Sequence, residues 1–247
     1  MGMGAFHHVA RLSAALLLSR VCAPADYRVE HGTFSSAGKT VHTDDYEPSA
    51  AERLGLAIIL HGSGGLDSRN FPYASLAASL AGRGFYVRMP HYFDRVSPRS
   101  GKVQTQYPIW VEVVRDAIRD YRERSGAYRR GATLIGFSLG ASIALAAAST
   151  DPAIAAVVDC AGSMPDEYFS RLDRLPPVFI LHNREDPVMP YFNSDQLLRL
   201  CKARHWEYQT RIGTGSTHGL PAPETESIDQ IVRFAVASRN AAGGGNP

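Results

Sequence analysis

The sequence predicts a doubly wound α/β domain, a mostly parallel sheet flanked on both faces by helices. Three observations predict it. Leu54–Leu60 and several later runs are solidly apolar, without the alternation of a half-solvated strand, so they read as strands buried on both faces. These runs alternate with segments of helical periodicity at short spacing. Glycine-rich turns stand where strands pass into helices.

The elements follow in order. Residues 27–50 are turn-rich around Ser35-Ser36-Ala37-Gly38-Lys39 and predict a hairpin, with arms Tyr27–Ser35 and Thr40–Tyr46. Leu54–Leu60 is the first buried strand. Phe71–Gly82 has a helical pattern stopped by Gly82-Arg83-Gly84. Phe85–Pro90 is a strand, and Pro108–Arg124 an amphipathic helix with Ile109, Val113, Ala117 and Tyr121 on its apolar side. Ala132–Ile135 then leads through Gly136-Phe137-Ser138-Leu139-Gly140 into an alanine-rich helix, Ala141–Ala148. Strands follow at Ile154–Val158, Val178–Leu181 and Glu207–Ile212, with helices at Ser194–Arg204 and Thr225–Arg239. No internal repeat or linker divides the chain. Loops gathered at the carboxyl ends of such strands form one site.

With 45% hydrophobic and 20% charged residues, the 247-residue chain is a folded globular protein with room for one sizeable core. Its formal charge of +2 comes from Arg11 and Arg20, since residues 1–25 hold no acid and the remainder carries 24 basic and 24 acidic groups. Nucleic acid and anionic membrane surfaces are therefore not favoured partners. Residues 1–25 read as a secretory signal peptide or a disordered leader: Arg11 precedes a short apolar core, Leu12–Ser19, and Ala23-Pro24-Ala25 resembles a cleavage site. The signal reading implies a secreted or periplasmic protein, the leader reading a cytoplasmic one. Val21 before Cys22 argues against a lipoprotein. No stretch is long and apolar enough to span a bilayer. The domain is expected over 26–240 and a disordered tail over 241–247. Cys160 and Cys201 are expected as buried free thiols, with pairing in an oxidising compartment the alternative.

Strand, sharp turn and helix is the context in which Gly-x-Ser-x-Gly presents a nucleophile. The turn strains Ser138, and the flanking glycines let strand and helix close over it. The bland alternative is that Ser138 caps the helix. A serine needs a base, and in this architecture the chain order is nucleophile, acid, histidine. Of nine histidines, only His205 and His218 lie beyond the late strands. His205, beside Trp206, is expected to pack; His218 lies in a flexible loop before the last helix and is the candidate base. Asp186, just after Val178–Leu181, is the candidate acid that orients it; Asp159 is the alternative, and Glu185 is expected to point elsewhere. Developing negative charge needs two donors. The Leu139 amide is one, and His61-Gly62-Ser63-Gly64-Gly65 offers the Ser63 amide, with Gly64 second. The loop lacks the Gly-Lys-Ser/Thr and Gly-x-Gly-x-x-Gly patterns of phosphate loops.

Taken together, the His61–Gly65 loop, Pro90-His91-Tyr92-Phe93-Asp94, the Gly136–Gly140 turn, Leu181-His182-x-x-x-Asp186 and Thr217-His218-Gly219 resemble the α/β-hydrolase superfamily, and within it the dienelactone-hydrolase-like family, over about residues 27–240. The resemblance implies an α/β-hydrolase fold without a large lid domain. Dienelactone hydrolases use a cysteine where this chain has Ser138, which shifts the expectation toward ester or related acyl hydrolysis. Asn183 stands where glycine commonly follows the histidine, and no function is read into it. His61, His91 and His182 are isolated, so hydrogen bonding rather than metal ligation is expected of them. Arg88, Arg95 and Arg99 could bind a substrate carboxylate, Arg95 and Arg99 being the named candidates, or form a solvated loop. The expectation is a serine hydrolase of small-molecule esters with no metal or cofactor, against a prolyl-type serine peptidase or a non-catalytic binding protein on the same fold.

Overall fold

The computed structural model describes residues 27–49, 53–125 and 131–243. The leader, including Cys22, lies outside them, as do residues 244–247 of the expected tail. The chain opens with the hairpin β1 (Tyr27–Ser36) and β2 (Lys39–Pro48). Its two-residue turn places Ala37 and Gly38 at φ 44° and 76°, the positive values that match the twist of the arms. There follow β3 (Gly55–Leu60), α1 (Tyr73–Ala81), β4 (Phe85–Pro90), α2 (Tyr107–Ser125), β5 (Ala132–Phe137) and α3 (Leu139–Thr150). The rest comprises β6 (Ile154–Cys160), α4 (Asp166–Phe169), β7 (Val178–Asn183), α5 (Phe192–Arg204), β8 (Tyr208–Gly213) and α6 (Glu224–Gly243). Sequence patterning missed the one-turn α4, which is too short to show a period. The last helix runs to Gly243, past the expected end at Arg239.

All eight strands form one sheet in the order β1-β2-β4-β3-β5-β6-β7-β8. β1, β2 and β4 pair antiparallel, and every pairing from β4 through β8 is parallel. After β4 the chain crosses back over β3 to lay down β5, so the winding reverses at β3, the point of such a sheet beside which the loops at the strand carboxyl ends gather. The sheet divides the core in two. Leu56, Ile58 and Leu60 of β3 pack with Trp110 of α2, Ile143 of α3 and Leu197 of α5. Ala57 and Ile59 face the other way, toward Leu76 of α1 and Ile231 of α6. Cys201 belongs to the first cluster and Cys160 to the second, so the sheet separates these free, buried thiols. Among the described residues no helix is long and apolar enough to cross a membrane.

Candidate active site

Ser138 takes φ 53° and ψ −118° between β5 and α3, a region that costs a side-chain-bearing residue of order 1–3 kcal/mol. Its surroundings hold it there. The Ser138 N–H donates to the Cys160 carbonyl at 2.8 Å. A Cβ at Gly136 would collide with Gly140 and Ala141, and one at Gly140 with the carbonyls of Leu60 and His61. Glycine at these two positions lets β5, α3 and the end of β3 meet. Ser138 makes no side-chain cap to α3, which disposes of the bland reading of this serine.

The loops after β5, β7 and β8 bring three predicted residues together. His218 Nε2 lies 2.9 Å from Ser138 Oγ, and His218 Nδ1 lies 2.8 Å from Asp186 Oδ2. A carboxylate can only accept here, so Nδ1–H donates to Asp186 and Nε2 is left to accept the serine proton. The Phe137 ring stands 5.0 Å from the imidazole. Asp186 Oδ1 accepts the amides of Val188 and Met189 at 2.8 and 2.9 Å. Burial pushes the Asp186 carboxyl up, but the bonds from His218, Met189 and Val188 outweigh it and leave the group below its usual range. Asp159, the alternative acid, is fully buried in β6. It accepts the Gly162 amide at 2.9 Å and makes no bond to His218. Glu185 is exposed, and so is His205. The expectation that His205 packs is therefore corrected: it closes α5 in the left-handed conformation at φ 55°, as a helix C-terminus often requires.

The loop after β3 lies against this serine. A Cβ at Gly62 would stand 3.5 Å from Ser138 Cβ and 3.2 Å from the Phe137 ring. The Gly62 amide donates to Tyr73 Oη at 2.8 Å, and Tyr92 Oη donates to the His61 carbonyl at 2.5 Å. His61 stacks on Tyr92 with ring centroids 4.1 Å apart, and its Nδ1–H reaches the Gly62 carbonyl at 2.8 Å. Burial lowers its pKa to about 4, so the ring is neutral. Neither the Ser63 amide nor the Leu139 amide, the first of α3, has an acceptor among the described residues. Both are free to face an oxyanion.

His182 and Asn183 belong to β7, one strand-end further than the apolar run indicated, because polar residues at a strand end read as loop. His182 is buried; its Nδ1 accepts from Ser194 Oγ at 2.6 Å and its Nε2–H donates to the Met189 carbonyl at 2.9 Å. Burial keeps it neutral. It thereby fixes the turn whose amides bind Asp186. Asn183 donates to the Thr217 carbonyl at 3.0 Å, a contact for which the only sequence signal was Gly213-Thr214-Gly215 opposite it. His91 bonds to Asp44 at 3.2 Å.

The arginines divide. Arg88 is 1% exposed and bonds Asp45 bidentately at 3.0 and 2.8 Å, with Asp120 at 2.7 Å. It is an internal ion pair, which corrects its grouping with a substrate-binding loop. Arg95 pairs with Glu112 at 3.6 Å, and Arg99 is exposed. Among the described residues neither bonds to Ser138, His218 or Asp186.

A model described as the Alpha/beta hydrolase family matches residues 57–241. The chain belongs to that family. No curated protein sequence matches it. An acylaminoacyl peptidase from Pyrococcus horikoshii superposes with a TM-score of 0.70 at 15% identity, covering 84% of this chain and 41% of the peptidase. A dienelactone hydrolase from Anabaena variabilis superposes with a TM-score of 0.68 at 16% identity, covering 87% of this chain and 98% of the hydrolase. A dienelactone hydrolase-like promiscuous phosphotriesterase from metagenomic libraries gives a TM-score of 0.68 at 14% identity, covering 85% and 98%. At these identities the likeness is one of fold. The chain spans less than half of the peptidase and nearly all of the length of the other two.

Proposed function

We propose that the protein is a serine hydrolase that cleaves a carboxylic ester or a related acyl bond of a small molecule through an acyl-enzyme. The observation that carries this reading is the unbroken hydrogen-bonded line from Ser138 Oγ through His218 to Asp186, at 2.9 and 2.8 Å. Ser138 Oγ attacks the acyl carbon while His218 Nε2 takes its proton. Asp186, held ionised, stabilises the imidazolium. The oxyanion forms against the amides of Leu139 and Ser63. His218 then passes the proton to the leaving alcohol. Water next gives a proton to His218 and attacks the acyl carbon, and the acid departs as Ser138 regains its hydrogen.

An ester is favoured because an alkoxide leaves far more easily than the amide anion of an unprotonated nitrogen, so ester cleavage asks less of His218 as general acid. The dienelactone-hydrolase-like character argued from the motifs agrees with a small acyl substrate. A prolyl-type serine peptidase is the second reading, favoured by the fold likeness to the acylaminoacyl peptidase. The same residues would serve it, with His218 protonating an amine.

Reaction with a fluorophosphonate tests the proposal. The wild type should carry one adduct, at Ser138, and Ser138→Ala none. Folded wild type that takes no label would overturn it and leave a binding protein on a hydrolase fold. Esters and peptide amides of matched acyl group then separate the two hydrolytic readings.

A further inference from the structure

We propose that Asn183 is the positioning residue that sets the His218 imidazole between Asp186 and Ser138; this rests on the acyl-hydrolase reading above. Asn183 is the last residue of β7 and 2% exposed, so its carboxamide must find partners inside the protein. Its Nδ2 donates to the Thr217 carbonyl at 3.0 Å, with the Gly219 carbonyl and Thr217 Oγ1 each at 3.4 Å. Those two carbonyls belong to the residues on either side of His218. One side-chain amide therefore grips the backbone before and after the base.

The same residue also holds the acid. The Asp186 N–H donates to the Asn183 main-chain carbonyl at 3.3 Å. Asn183 thus ties the backbone of Asp186 with its carbonyl and the backbone around His218 with its amide. Two further bonds run alongside, from Arg184 N–H to the Gly213 carbonyl at 3.0 Å and from Glu185 N–H to the Gly215 carbonyl at 3.4 Å. The facing loop is cleared for the carboxamide: a Cβ at Gly213 would collide with Asn183 Oδ1, and one at Gly215 would stand 3.1 Å from it. Glycine in place of Asn183 would have no donor to offer. Aspartate has the right shape but puts a carboxylate against two carbonyl oxygens, and so breaks the grip without changing volume.

Asn183→Asp and Gly215→Ala are the variants to compare with wild type. A displacement of the base by about 1 Å can cost on the order of a hundredfold in rate. Both variants should lose roughly 10- to 100-fold in kcat, with KM within about threefold and an equal loss in the rate of Ser138 phosphonylation. The downfield proton resonance of His218 Nδ1–H, bonded to Asp186, should shift or broaden. If Asn183→Asp does not fold, Gly215→Ala carries the test. Folded variants with kcat within twofold of wild type and an unchanged resonance would overturn the proposal, as would a change confined to melting temperature. Wild type without label at Ser138 would instead sink the hydrolase reading, and the resonance, which needs no turnover, would still decide the role of Asn183.

Discussion

The Ser138 N–H donates to the carbonyl of Cys160 at 2.8 Å, tying the strained turn after β5 to the end of its neighbour β6. The bond explains how a non-glycine residue persists at φ 53°. The fold over-determines that conformation through this bond and through the two glycine contacts with α3 and β3.

This strain can be separated from catalysis. Ser138→Ala and Ser138→Gly both lack the hydroxyl and should both lose hydrolysis. Only the glycine variant also loses the Cβ that opposes a positive φ. Relief of about 1–3 kcal/mol exceeds the entropic cost of about 0.5–1 kcal/mol for introducing glycine. The glycine variant should therefore melt above the alanine variant, by roughly 2–4 °C for each kcal/mol gained. Equal melting temperatures would show that the turn stores no strain.

What the amino-acid sequence alone reveals of this fold and site depends on whether a residue's role is local. The buried strands were legible because a strand covered on both faces needs an apolar residue at every position, as Leu56 to Leu60 shows. That Ser138, Asp186 and His218 lie side by side could be anticipated because each leaves a different strand end and their order along the chain is constrained. Asn183 could not, since its meaning depends on the parallel pairing that sets it opposite Gly213. Arg88 was misread for a similar reason. A buried arginine is recognisable only through its partners, and these lie on β2 and α2, far away in sequence.

Arg88 is accordingly predicted to matter for stability and not for turnover. Arg88→Met would leave Asp45, itself only 5% exposed, as a buried charge without its cation. Removing one partner of such a pair typically costs about 3–5 kcal/mol. The variant should melt well below wild type while keeping its kcat per Ser138 that can be labelled. A drop in kcat at full labelling would mean that this ion pair communicates with the site.

The last prediction concerns two buried groups with opposite pH dependence. Burial raises the Asp159 carboxyl from 3.8 to about 7, partly opposed by the Gly162 amide. Its folded form binds the proton more tightly than the unfolded chain does. Its contribution is complete below the unfolded value and is lost as pH rises through about 7. Burial lowers His61 from 6.5 to about 4, partly opposed by the Gly62 carbonyl. Its contribution is full above the unfolded value and is lost as pH falls toward about 4. The two windows overlap with opposite slopes, each worth at most a few kcal/mol at about 1.4 kcal/mol per pKa unit. In wild type they offset one another. Asp159→Asn removes the acid, and melting temperature should then climb with pH across the window. His61→Asn retains a donor for the Gly62 carbonyl but cannot titrate, and melting temperature should then fall. Thermal melts of the three proteins in buffers spanning the window decide the matter. Parallel curves for all three would show that neither group titrates differently in the fold.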